Sequence, residues 1–169
     1  LAPLFLGLVA FVATLSFAGH PGRAQDSTST PTPYPALHVS EVLPDPRAVD
    51  DALGEWIEIW NPGAQPVDMQ GWQLVSGDES LTIALSLPIA AGSFVVLAER
   101  GDPAINGGLR ADYQYSGLIL ENEDSLALVA PDGRTEETLH WLATQVQEGR
   151  SLERVGSGLP AQWQAAWQL

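Results

Sequence analysis

Gly54-Glu55-Trp56-Ile57-Glu58-Ile59-Trp60-Asn61-Pro62 is the stretch that decides the fold, and Gly71-Trp72-Gln73-Leu74 follows it. The pair reads as a strand, a polar turn, and a second strand opened by Gly-Trp. Side chains alternate across a strand. Ile57 and Ile59 therefore share one face with Glu55 and Asn61, while Trp56, Glu58 and Trp60 share the other. Both faces carry apolar bulk. The pattern predicts a central strand with one face in the core and an aromatic outer face partly covered by a loop. Large aromatics tend to bury, and each buried Trp contributes roughly 2–3 kcal/mol of apolar transfer, so Trp56 and Trp60 read as packing residues rather than a ligand platform.

Outward from this stretch, short apolar runs alternate with turn signals. Strands are expected at 37–42, 55–61, 72–75, 81–87, 93–98, 118–120, 125–130, 138–142 and 151–155. Pro44-Asp45-Pro46, Pro62-Gly63 and Pro131-Asp132-Gly133 punctuate them, with Pro and Gly placed where turns use them. No segment keeps a 3.6-residue period. About seven to nine short strands at this spacing predict an all-β sandwich or barrel. The segment 100–113 is long, Gly-rich and polar, and reads as an exposed loop.

Residues 1–18 carry no charge and read as the apolar region of a signal peptide. Small residues place cleavage after Ala18 or after Ala24. The competing reading is an uncleaved anchor helix, since the length barely suffices to span a bilayer. Residues 25–36, rich in Ser, Thr and Pro, read as an extended tether. The expected organisation is thus a signal peptide or membrane anchor over 1–24, a linker over 25–36, a sandwich over 37–155 and a tail over 156–169. Export to the cell surface or the extracellular space follows from the first element.

Composition narrows the function. The net charge is −14, from 21 acidic residues against 7 basic ones, all of them arginine. Such a field repels a phosphate backbone, so nucleic acid is an unfavoured partner. A basic partner, a cation or solubility suits it better. With no cysteine, disulfides, zinc–thiolate sites and thiol catalysis are absent.

Six segments, in order, resemble the lamin tail domain. They are Ser40-Glu41-Val42-Leu43-Pro44-Asp45-Pro46, the Gly54 to Asn61 strand, Val67-Asp68-Met69-Gln70-Gly71-Trp72, Leu87-Pro88-Ile89-Ala90-Ala91-Gly92 with Phe94-Val95-Val96-Leu97, Asn122 through Leu128 with the Asp132-Gly133 turn, and Ser151-Leu152-Glu153-Arg154. The resemblance implies an immunoglobulin-like β-sandwich. It points to the bacterial exported form, because the coiled-coil heptads of nuclear lamins are missing. Such relatives often sit beside hydrolases, which implies an accessory role. They usually run on past a tryptophan-containing tail, so the tail ending at Leu169 is expected to continue.

Individual residues give little chemistry. Of the three histidines, His20 lies beside the signal region, and His38 and His140 fall one apiece in predicted strands. No nucleophile elbow, zinc-protease helix or phosphate-binding glycine loop occurs. Asp45, Asp50, Asp51 and Glu55 cluster around a Pro-containing loop, and Glu121, Glu123 and Asp124 form a second cluster. Calcium favours hard oxygens on loops, but solvated acidic loops explain both clusters in so acidic a chain. No catalytic, cofactor-binding or metal residue is therefore assigned, and no cofactor is expected. Arg154, beside Glu153, is expected to pair with a strand carboxylate such as Glu58. The expected function is a non-catalytic exported module that binds a protein, glycan or envelope component, with the loops 44–54 and 100–113 as the places to look. The competitors are an accessory domain of a secreted hydrolase whose catalytic domain lies outside this chain, and a DNA-binding module.

Overall fold

The structure is a computed structural model that describes residues 36–156 and 162–166. The signal or anchor segment, with its cleavage points, and most of the linker lie outside the described residues. Among those residues no helix is long and apolar enough to cross a membrane.

Among the described residues, twelve strands and one short helix follow in chain order. They are β1 (His38–Leu43), α1 (Asp51–Gly54), β2 (Trp56–Trp60), β3 (Val67–Asp68), β4 (Gln73–Ser76), β5 (Glu79–Thr82), β6 (Pro88–Ile89), β7 (Phe94–Ala98), β8 (Tyr113–Gln114), β9 (Asp124–Val129), β10 (Thr135–Trp141), β11 (Leu152–Val155) and β12 (Gln162–Ala165). One sheet has the order β12-β11-β1-β2-β7-β8, a second has β10-β9-β4-β5, and β3 pairs with β6 alone. All pairings are antiparallel except β7 with β8. The inner faces of the two large sheets share one apolar core. Val39, Val42, Ile57 and Ile59 come from the first, and Leu74, Leu126, Leu128 and Trp141 from the second. This is an all-β, immunoglobulin-like sandwich.

Alternation along β2 follows the sequence. Ile57 and Ile59 are fully buried, and Trp56, Glu58 and Trp60 are half-buried on the outer face. There Trp60 stacks on its cross-strand neighbour Phe94, ring centroids 6.1 Å apart, and meets His38 at 6.2 Å. A bulge keeps β1 in phase with this strand. Val39 pairs with Ile59 and Glu41 with Glu58, so Ser40 is the extra residue and both Val39 and Val42 turn inward.

Two predicted strands and one predicted loop differ in detail. Leu81, Ile83, Leu85 and Leu87 alternate as one strand would, yet β5 ends at Thr82 and Leu85 is exposed. The chain instead bends around the Gly71-Trp72 turn: Gly71 N–H bonds Ile83 O and Ile83 N–H bonds Trp72 O, both at 2.9 Å. Asp68 then captures Leu87 N–H at 2.9 Å and the Ser86 hydroxyl at 2.7 Å. The 118–120 segment keeps its alternation, with Leu118 and Leu120 buried and Ile119 exposed, but forms no strand. Carboxylates take its amides in place of a ladder: Glu79 from Ile119 at 2.7 Å, Glu55 from Leu120 at 3.0 Å. The predicted 100–113 loop is largely exposed, but Asn106 is buried within it and ties Arg100 O, Leu109 O and Leu109 N–H together.

Arg154 does not pair with Glu58. It shares its side of β11 with the buried Leu152 and so points inward, whereas Glu58 lies on the outer face with the tryptophans and accepts the Ser40 hydroxyl at 2.7 Å. The partner of Arg154 is Glu137, inward on β10 with Leu139 and Trp141. Both charged side chains are at least 96% buried. Glu137 also accepts Val39 N–H at 3.2 Å and stands 3.5 Å from His38 Nδ1. One carboxylate of the second sheet therefore holds two strands of the first.

A buried pair broken on one side leaves an uncompensated charge. Glu137→Ala or Arg154→Ala should each cost about 3–5 kcal/mol, while the double variant Glu137→Leu/Arg154→Met should recover most of that loss. Urea unfolding of the three proteins checks this, and full additivity of the two single losses would contradict it.

Asn61 closes the C-terminal end of β2. Fully buried, it donates through Nδ2 to Gln65 O at 2.8 Å and Ile89 O at 3.1 Å, and accepts Gly63 N–H at 2.9 Å. Its backbone completes the clamp with Ser93 O and Gly92 N–H. Asn61→Ala should lower stability by roughly 2–3 kcal/mol, because several buried backbone groups lose their partner. Asn61→Asp, which lacks the NH2 donors, should lose a comparable amount at neutral pH in the same unfolding measurement.

Candidate functional site

The loop 44–54 leads into β2, and its geometry is fixed by close packing. A Cβ on Gly54 would stand 2.6 Å from Val49 Cγ2 and 2.7 Å from Pro46 Cβ, so only glycine fits where the loop folds back on itself. On one side the loop meets residues 106–109 over Trp56, enclosing a cavity of about 400 Å³. The two loops singled out from the sequence thus come together above the outer-face tryptophan. On its other side the same loop faces the segment 117–122 across a second cavity of about 410 Å³.

This second cavity is the better-formed site. Pro44, Leu118 and Leu120 give it buried apolar walls, and Glu55 and Glu99 line it with carboxylates. The β2–β7 ladder sets the carboxylates side by side, since Glu99 N–H bonds Glu55 O at 3.2 Å. Glu55 is 2% exposed because it lies on the inward side of β2 with Ile57 and Ile59. Burial pushes its carboxyl up to about 8, helped by Asp51, Glu99 and Glu121, against the hydrogen bond from Leu120. Burial also raises Glu99, with Glu79 adding to it and Arg100 opposing. Tyr115, buried beside both carboxylates, is raised for the same reason. Perturbed groups gathered at a cavity make it the candidate site.

The acidic clusters of the sequence are divided among several tasks. Asp51 and Glu55 line this cavity, whereas Asp45 and Asp50 face an open acidic groove with Glu148. In the second cluster, Asp124 is occupied by the Ser76 hydroxyl at 2.6 Å and by the Glu121 and Ser125 amides. Glu121 turns to the cavity and Glu123 away from it. Among the described residues no group of three or more His, Asp or Glu side chains is placed to hold a metal ion. His38 is engaged at the Glu137 pair, and His140 is exposed on β10. His20 lies outside the described residues.

The model of the lamin tail domain matches residues 30–143. The chain belongs to the lamin tail domain family. This is an immunoglobulin-like, non-enzymatic domain family, in keeping with the sandwich described above. No curated protein matches the chain. The family match stops before β11 and β12, yet β11 pairs with β1 and carries the arginine of the buried pair, so in this lamin tail domain the sheet continues beyond the matched residues.

A carboxyl raised by burial favours the folded state when protonated. Its contribution is fully present below the unfolded value near 4.5 and is lost as pH rises through about 8. Glu55→Gln keeps an acceptor for Leu120 N–H and has no proton to lose. The variant should match the parent near pH 4.5 and exceed it at pH 9 by on the order of 3 kcal/mol. Parallel stability curves of the two proteins from pH 4 to 9 would show that Glu55 ionises freely in the fold.

Proposed function

We propose that this lamin tail domain is a non-catalytic module that is exported, displayed at the cell surface or released outside the cell, and binds a component found there. Membership of a non-enzymatic, immunoglobulin-like family carries the reading. The uncharged stretch 1–18 and the Ser/Thr/Pro-rich stretch after it support export and a tether between envelope and domain. The net charge of −14 supports a cationic or basic partner over nucleic acid. The loop 44–54, with a cavity on each side, supports binding at this end of the sandwich, where loops vary without disturbing the core.

Cell fractionation of a C-terminally tagged chain tests the compartment. The expected outcome is recovery from the envelope or the medium, with N-terminal sequencing showing a start at Gly19 or Gln25 if the signal is removed. Recovery from the cytosol alone would overturn export.

A further inference from the structure

The cavity between the loop 44–54 and the segment 117–122 contains acceptors that the protein does not use. Glu55 spends one carboxylate oxygen on Leu120 N–H, and its other oxygen has no hydrogen bond among the described residues. Glu99 has a buried Oε2 with no partner, and its Oε1 lies 3.9 Å from an Arg100 guanidinium that does not line the cavity. The Tyr115 hydroxyl, buried beside both, is also without a partner. Native proteins rarely leave buried polar atoms unbonded, and Glu99 Oε2, on the cavity lining beside the half-used Glu55 carboxylate, calls for a donor from outside. Beside these acceptors, Leu118, Ile119 and Leu120 give the cavity an apolar wall.

We propose that this cavity binds an organic cation: an ammonium or guanidinium group carried on a short aliphatic stem. The head would lie between Glu55 and Glu99, and the stem against residues 118–120. Ammonium and guanidinium groups offer donors and no acceptor, which complements a site made of acceptors. A stem of methylenes matches the apolar wall in the way lysine and arginine stems lie along apolar surface. A volume of about 410 Å³ suits a ligand of this size. A bare divalent cation fits poorly, because calcium takes six to eight oxygens and, among the described residues, no group of three or more acidic or His side chains is placed to hold a metal ion. The charge of the whole chain draws cations toward the site. The raised carboxyl of Glu55 fits the same picture: an uncompensated buried acid holds its proton until a cation replaces it.

The inference deepens the binding-module reading and rests on it. The cation has two sources, a free amine or a Lys or Arg side chain of a partner protein. Titration of the chain of residues 1–169 at pH 7, followed by amide NMR shifts, tests both. The probes are 1,5-diaminopentane, Nα-acetyl-lysine methylamide and Nα-acetyl-arginine methylamide, with 1-butanol as the neutral control. Saturable shifts at residues 118–121 are expected with the cations and not with butanol. Binding should weaken about tenfold or more in Glu55→Gln and in Glu99→Gln, and stay unchanged in Glu123→Gln. Circular dichroism confirms that the variants fold. Stronger binding of the capped amino acids than of the diamine would assign the site to a partner's side chain, and the reverse to a free amine. No saturable binding up to about 10 mM of any probe, or equal binding by parent and both site variants, would overturn the inference. Either result would leave the export reading intact, because fractionation tests that independently.

Discussion

The buried carboxylate of Glu137 is the constraint on which the sandwich depends. It projects from one sheet and is met by Arg154 and the Val39 amide of the other, so it sets both the spacing of the sheets and the neighbours of β1. Apolar packing alone tolerates many arrangements of similar volume. A buried charge does not, because each misplaced arrangement leaves it unpaired. The pair therefore contributes more to choosing this arrangement than to the depth of its free-energy minimum. His38 sits beside the same carboxylate and carries the arrangement out to the aromatic ladder of Trp60 and Phe94 on the outer face.

Along β2 itself the logic divides between the two ends. Asn61 and Glu55 occupy the same inward-facing row as Ile57 and Ile59 and bracket them. Asn61 is saturated with partners and fixes its corner. Glu55 has one partner for two oxygens and faces a cavity. Both polar residues flank the same strand, one at each end. A site on such an element is better positioned than one built on loops alone.

Much of this was legible in the residues. The parity of β2 put the isoleucines inside and the tryptophans outside because alternation is a local property of an extended chain. The same parity turned Glu55 inward, yet its charge grouped it with Asp45, Asp50 and Asp51, and the spacing alone gave no sign that Glu55 and Asp51 would line one cavity while Asp45 and Asp50 face another groove. The 118–120 segment alternated like a strand but took its bonds from Glu79 and Glu55, a choice that depends on side chains 40 and 65 residues away. Arg154 was recognisable as a paired residue. Its partner was not, since an extra residue in β10, between Thr135 and Glu137, decides where that carboxylate points.

β1 lies in the interior of its sheet, between β2 and a strand that comes at the far end of the domain. Glu41 and the Ser151 hydroxyl, bonded to each other, are 110 residues apart in the chain. Until residue 154 is available, Glu137 has no guanidinium to meet and β1 keeps an open edge. Sheets closed by such distant pairings form slowly, since loop closure precedes the contacts that compensate for it. Order of synthesis thus runs against order of assembly: the first strand made waits for one of the last. A nascent chain of this domain lacks the outer neighbour of β1 until residues 152–155 are made.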